Sequence, residues 1–395
     1  MPAMFKSIHL NFLPLPQVIY ALVVAFFLLG FFILPNDDVL HKVFIYGILL
    51  LFPLIAQDVW RSHLLKHPLL YFILAYMLYA ALSGLWTVPT QVAMTWYKPF
   101  VRTLYIMVFC LGVAWVSLRT PGFFEKLLTA LVFAATFVAL IGIISWVVHY
   151  GGDFAIRLMG ITRAEHSIQG AASFAVIFLL ALVRFSRVEL LWHKLAYGLA
   201  ALICLLFVVL AQTRGVLISI GVSVLVYVIL RRDFKLLLIF AFSALVILAL
   251  SFYSFDLPKL WAGLTNMLSM SFRMEMWHTI FEQALQRPWF GHGFLHDSRV
   301  MAAGILFPHA HNIYLSIFFF SGLVGLLLYC MMILSALYYA YQNRQIDKYM
   351  FAGLAVIFAS VALISDVGRV IVSPNDLWFY LWFPIGILLS TRIMK

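Results

Sequence analysis

Charge is scarce in this chain. Charged residues make up 10% of its 395 positions, against about 25% in a soluble domain, which excludes a solvated globular surface over most of its length. Cysteine is nearly missing. Cys110, Cys204 and Cys330 all lie inside apolar runs, with neither the spacing of a disulfide framework nor that of a metal site. A Gly-rich phosphate loop and an HExxH pair are both lacking, so nucleotide-driven and thermolysin-like chemistry find no support. The first apolar run is too long for a removed signal peptide and has no small-residue cleavage site, and it reads as a retained anchor. What is abundant is hydrophobic: 65% of residues, with a mean hydropathy of +1.04. Long apolar runs without period-2 alternation mean helices rather than a barrel in a bilayer. The fold class is all-α and integral to a membrane, a single polytopic domain over residues 1–395.

A membrane core about 30 Å thick needs about 20 apolar residues per crossing. The runs predict twelve spans, at 17–35, 40–56, 68–86, 100–118, 126–149, 168–184, 195–212, 214–230, 235–254, 311–340, 349–366 and 376–393. Residues 195–230 are nearly continuous, and a single helix of that length would rise about 54 Å. The one polar, glycine-bearing point is Gln212-Thr213-Arg214-Gly215, so the chain must turn there, placing Arg214 on a tight hairpin. One large loop, about 255–310, separates spans nine and ten.

With both termini on one side, fifteen of the 26 lysines and arginines fall on that side and eleven on the other, four of these in the long loop. The bias predicts cytoplasmic termini and explains much of the net charge of +11 without nucleic acid as a partner. The outward set is mostly arginine: Arg102, Arg157, Arg163, Arg214, Arg273, Arg287, Arg299 and Arg369. Guanidinium forks pair bidentately with phosphate. Each also has a plainer explanation, snorkelling to the interface or pairing with an acid, and that explanation is preferred for Arg102, Arg157 and Arg299.

Between Phe272 and Leu285, apolar residues at 272, 276, 277, 280, 281 and 285 face one way, with Arg273, Glu275, His278, Glu282 and Gln286 on the other. This is an amphipathic helix, stopped by Pro288. Trp289, Phe290, Phe294, Leu306 and Phe307 suit a membrane-surface segment. His292 and His296, with His309 and His311, offer four zinc-type ligands, but the glycines at 291 and 293 disfavour a rigid pair and no cysteine assists, so no metal is assigned. His311-Asn312 at the mouth of the tenth span is followed by Gly322 and Gly325, which would let a neighbouring helix approach closely. A histidine there, with several cations nearby, points to chemistry on a phosphate-bearing lipid.

These residues carry a resemblance. Glu275-Met-Trp277, Arg287-Pro-Trp-Phe-Gly-His-Gly293, and His311-Asn312 with Gly322-Leu-Val-Gly325 resemble the signature region of the O-antigen ligase/O-antigen polymerase superfamily of bacterial envelope glycosyltransferases. Thr213-Arg214-Gly215 matches a functional arginine turn of that family, and span count and loop position resemble the ligase branch. The resemblance implies a bacterial inner-membrane enzyme working on the periplasmic face. It would transfer O-antigen polysaccharide from undecaprenyl diphosphate to a sugar hydroxyl of lipid A–core oligosaccharide, with inversion and without metal or other cofactor. On that basis His311 is expected as general base, with Arg214 and Arg287 stabilising the departing diphosphate. Asn312, Arg163, Arg273, Arg369 and Asp366 are expected in substrate binding or positioning, and Gly322, Gly325 and Pro288 in structure.

Other readings stay open. An O-antigen polymerase, or another polyprenyl-diphosphate oligosaccharide transferase, differs in acceptor alone. A lipid-linked glycan transporter or flippase also fits twelve spans, although transporters place ionisable groups near the midplane and here they gather at the span ends. Asp37 and Asp38 form an acidic pair in the first outward loop, readable as a cation site or as a helix cap.

Overall fold

The computed structural model describes residues 14–88, 94–151, 156–161, 167–232, 271–302 and 304–392. These residues are overwhelmingly helical. The helices are α1 (Leu15–Ile33), α2 (Asp37–Val43), α3 (Pro53–Arg61), α4 (Pro68–Leu82), α5 (Lys98–Arg119), α6 (Pro121–Tyr150), α7 (Ser167–Phe185), α8 (Leu191–Leu210), α9 (Arg214–Arg231), α10 (Ser271–Leu285), α11 (Ile313–Gln342), α12 (Asp347–Ala362) and α13 (Phe383–Leu389). A small antiparallel hairpin, β1 (Val300–Ala302) and β2 (Ile305–Phe307), pairs Val300 with Phe307.

Among the described residues eight helices are long and apolar enough to cross a membrane, and α2 with its π-helical extension plus α3 form a ninth candidate bent by 60°. The expected straight second span, 40–56, is therefore a broken one that runs on to Arg61, with Pro53 opening the second half. The expected ninth span, 235–254, lies outside the described residues. The last two expected spans are short. α12 rises about 24 Å, less than a bilayer core. The segment Trp378–Leu389, a π-helical turn running into α13, is shorter still and buried on all sides, Trp378 and Trp382 completely. Its rings pack against Phe27, Phe44 and Phe109, as a helix apolar all round must. It is a core element.

The two ends of α12 differ in chemistry. At its Asp347 end the carboxylate meets Arg187 at 2.9 Å and Arg231 at 3.8 Å, Arg184 pairs with Glu125, and Lys348 Nζ donates to Ser117 O and Oγ at 3.0 and 2.9 Å. At its other end Leu363 O accepts from Ile313 N, the first residue of α11. Arg184, Arg187, Arg231 and Lys348 thus share one face, and Arg214, His311 and Asp366 share the opposite one.

α11 is not continuous. Gly322 has φ 63° and ψ −167°, and the segment 288–293 docks into the break. His292 N and Gly293 N donate to Phe319 O and Phe320 O at 2.9 and 2.8 Å, and Leu323 N and Val324 N donate to Pro288 O and Trp289 O at 2.8 and 3.3 Å. Irregular backbone within a span survives only where protein covers it. A Cβ on Gly322 would sit 2.3 Å from Trp289 C and O, and one on Gly291 2.5 Å from Phe320 C and O. The close neighbour that Gly322 admits is this loop, rather than the helix expected from sequence. Gly325 does face a helix, its Cβ position lying 3.2 Å from Tyr79 of α4.

Candidate functional site

The turn between α8 and α9 falls where the polar residues predict. Gln212 takes a positive φ of 52°, and Arg214 opens α9. The neighbouring glycine has a spatial reason: a Cβ on Gly215 would lie 2.3 Å from Ser365 Oγ. Its absence lets the start of α9 close on the segment that carries Asp366.

His311 is placed from two sides. β1 and β2 lead into it, and Asn312 caps α11, its Oδ1 accepting from Tyr314 N and Leu315 N at 3.0 and 3.1 Å. Asn312 is 7% exposed and its oxygen serves the cap. His311 itself has φ 51°, an uncommon conformation for a residue with a Cβ. Its backbone N–H donates to His309 Nδ1 at 3.1 Å, and the two rings lie 4.1 Å apart. Burial, then the neighbouring His311, pushes the His309 imidazole down to about 4, so His309 stays neutral and keeps accepting. The His311 ring, 29% exposed, turns Nδ1 towards Asp366 Oδ1 at 3.8 Å. That is too long for a hydrogen bond and close enough for attraction.

These groups converge. A cavity of about 400 Å³ is lined by His311, Asp366, Arg214, Arg273 and Arg157, with Tyr380 at its wall. Arg214 lies in electrostatic reach of both Arg157 and Arg273. Arg273 comes from α10, which buries Met276, Ile280 and Ala284 in a cluster with Phe319, Phe320, Val300 and Ala310. Trp277 Nε1 ties it to Ala310 O at 2.9 Å. The buried stripe is thus 276, 280 and 284; Phe281 and Leu285, expected within it, are exposed. Arg157 was preferred as a snorkelling residue and instead lines the cavity. Thr213 lines it too, with a buried hydroxyl that has no hydrogen-bond partner among the described residues.

Other expected site residues lie elsewhere. Arg287 lines a separate concavity of about 450 Å³ with Trp86, Pro288, Trp289, Phe290 and Gly291. Pro288 ends α10 as expected, and its carbonyl holds Leu323. Arg369 stands outside the cavity as a packing element. Its guanidinium lies 4.4 Å from the Phe320 ring and 5.4 Å from that of Phe294, and Nη2 donates to His296 O at 2.8 Å. Burial pulls its pKa down to about 10, which leaves it charged near neutral pH. Arg163 lies outside the described residues. Arg299 pairs with Asp297 through Nη2–Oδ2 at 2.6 Å, the plainer role preferred for it.

The histidines at 292 and 296 serve the loop. His292 stacks on Phe319 at 4.7 Å and donates through Nε2 to Gln283 O at 2.7 Å. His296 Nδ1 bonds Asp297 O at 2.6 Å. Among the described residues no group of three or more His, Cys, Asp or Glu is placed to hold a metal ion. Asp37 and Asp38 occupy the first turn of α2, whose cap is Asn36, with Oδ1 accepting from Val39 N at 3.0 Å. Carboxylates there are favoured by the helix dipole.

The chain was compared with known proteins. Residues 199–330 match the family model described as O-antigen ligase. This stretch is similar to that family. It includes Arg214, Arg273, Arg287, His311, Gly322 and Gly325. Over 385 residues the chain is 26% identical to an O-antigen ligase of Pseudomonas aeruginosa, covering 93% of this chain and 89% of the relative. The similarity to this relative extends well beyond the stretch that the family model matches.

Proposed function

We propose that this protein is an O-antigen ligase that moves polysaccharide from undecaprenyl diphosphate onto a sugar hydroxyl of lipid A–core on the periplasmic face of the bacterial inner membrane. The observation that carries this reading is the single cavity in which His311, Asp366 and three arginines meet. A diphosphate leaving group needs concentrated positive charge, and an attacking alcohol needs a base; both are within one small volume.

In this reading the acceptor oxygen attacks the anomeric carbon from the face opposite the diphosphate. The carbon–oxygen bond to phosphate breaks and its electron pair leaves with undecaprenyl diphosphate. The hydroxyl proton passes to His311, imidazole being the side chain most often used to take a proton in such a step. Asp366, on the Nδ1 side, steadies the imidazolium and leaves Nε2 for the acceptor. Arg214, backed by Arg273 and Arg157, meets the charge that grows on the diphosphate, the task a metal performs elsewhere. One displacement inverts the anomeric centre. Arg287, in its own concavity, meets substrate outside the cavity.

The decisive test is reconstitution of the purified protein with a polyprenyl-diphosphate glycan and lipid A–core. His311→Ala should abolish transfer and retain donor binding; a wild-type rate in that variant ends the assignment. Product of a single glycan addition supports ligation. A ladder of glycan lengthening marks a polymerase, and lipid movement without product marks a transporter.

A further inference from the structure

On the face opposite the His311 cavity, three arginines distant in sequence meet at one concavity. We infer that the hollow between Arg61, Arg119 and Arg392 binds the phosphate of an anionic ligand at the membrane surface. The inference is independent of the transfer reaction.

The hollow, about 660 Å³, is completed by Ser62, His63 and Leu118. Its rim is fixed by bonds rather than left to mobile side chains. Ser62 Oγ accepts from Leu64 N at 3.2 Å and donates to Val59 O at 2.7 Å. His63 Nε2 donates to Thr391 O at 3.2 Å, and His67 Nε2 bonds Thr391 Oγ1 at 3.0 Å. The turn that follows Arg61 is thereby pinned to the residue before Arg392. Arg119 ends α5, whose last turn is held through Ser117 to Ser390 and Lys348.

The charge is not neutralised. Among the described residues Arg119 has one acidic neighbour, Asp58, at 3.8 Å, with the arginine side chain 46% exposed. That carboxylate already accepts from Gln17 Nε2 at 3.0 Å. Neither Arg61 nor Arg392 has a carboxylate within 4.0 Å among the described residues. The neighbouring arginines on the same face behave differently: Arg184, Arg187 and Arg231 share Asp347 and Glu125. A topological bias accounts for cations at this level of the fold, but not for three converging on one hollow with a single carboxylate, Asp58, beside them. Forked donors around a concavity match phosphate oxygens, and basic pockets between helix ends take lipid headgroups. Trp60, beside Arg61, is 77% exposed, as suits a side chain at the lipid–water boundary. The phosphate has two sources, an anionic lipid headgroup or free phosphate from solution.

The test uses the full chain purified in neutral detergent and titrated with phosphatidylglycerol or phosphatidylcholine, with retained lipid counted by native mass spectrometry. Arg61→Gln, Arg119→Gln and Arg392→Gln are compared singly and together, with Arg344→Gln as a control of equal charge loss on the same face. Arg392→Gln, at an exposed position, keeps the test informative if the combined variant unfolds. Phosphatidylglycerol binding should weaken about fivefold per arginine lost, with phosphatidylcholine and the control unaffected. Inorganic phosphate that displaces phosphatidylglycerol from the wild type, and fails to bind the combined variant, shows the same site filled from solution; failure to displace it assigns the site to lipid. Undiminished phosphatidylglycerol binding in the combined variant, or an equal loss in the control, overturns the inference.

Discussion

Replacing Gly322 with alanine puts the strongest strain on the architecture described above. The residue sits at φ 63° and ψ −167°, a region open almost only to glycine and costing about 1–3 kcal/mol for other residues. The new Cβ would also lie 2.3 Å from Trp289 C and O and 2.5 Å from Phe290 N. These are backbone atoms, with no side-chain rotation to relieve them. The docked segment must withdraw, and the four bonds it exchanges with the halves of α11 cannot all persist. Losing two at a net of about 1 kcal/mol each, on top of the strain, brings the cost to about 4 kcal/mol. That is a large fraction of the 5–15 kcal/mol typical of a folded domain.

The assay is unfolding in mixed micelles by titration with a denaturing detergent, run beside a transfer assay. Gly221→Ala is the internal control: it lies inside α9, and an added Cβ there meets nothing within 4 Å. Alanine at that position should be neutral or stabilising by up to about 1 kcal/mol. Because the docked loop directly follows Arg287 and anchors α10, Gly322→Ala should lose transfer activity even in the fraction that stays folded. A variant at 322 as stable and active as that at 221 would refute the argument that backbone contact dictates this glycine.

Acid should loosen the site through His309. Its folded pKa of about 4 lies below the unfolded value of about 6.5, so its stabilising contribution is complete above about pH 6.5 and is lost as pH falls towards 4. Discounted for its partial exposure, the loss is on the order of 2 kcal/mol, read as a difference in pH-dependent unfolding between wild type and His309→Gln. Arg214→Lys removes a bidentate fork while keeping charge and should lower transfer by about 3–4 kcal/mol of barrier, measured as kcat/KM with a synthetic donor. Arg369→Lys forfeits its stacking on Phe294 and Phe320 and should cost on the order of 2 kcal/mol of stability in the same detergent titration. Chelation with EDTA should leave turnover unchanged; activity lost and then restored by magnesium would return Asp37 and Asp38 to the chemistry.

The helices were legible because each reports its own hydropathy. The turn at 212–215 and the end of α10 before Pro288 were legible for the same local reason: polar or conformationally special residues stand where the chain must stop. What sequence hid depends on partners far along the chain. The residues from 313 to 342 read as one apolar run, and nothing within them announces a break, because the bonds lost inside α11 are replaced by residues 288–293. The bend before α3 was signalled by Pro53 but outweighed by the apolar run around it. The cap at Asn312 also had a local signal: asparagine immediately before a helical apolar run is a capping pattern.

The arginines show the limit most clearly. Arg157, Arg299 and Arg369 look alike in sequence, each an outward cation near a span end. In the fold one lines the cavity, one is spent on Asp297, and one lies between phenylalanine rings with a carbonyl in its grasp. Which fate a guanidinium meets is decided by the surfaces brought beside it, and no property of its flanking residues encodes that.

The three motif segments then take on a different meaning. Read along the chain, Arg287-Pro-Trp-Phe-Gly-His-Gly293, His311-Asn312 and Gly322-Leu-Val-Gly325 are separate chemical items, a phosphate ligand, a base and a packing surface. In the fold they are one interlock. Gly291 and Gly322 each leave room for the other's backbone neighbours. His292 ties the docked loop back to Gln283 of α10, and α10 carries Arg273, while α11, whose break receives the loop, carries His311 at its mouth. The glycines therefore set the distance between Arg273 on α10 and His311 at the mouth of α11. A residue that never touches substrate can in this way be as necessary to the cavity as those that do, because shifting the loop by the width of one methyl group moves both walls at once.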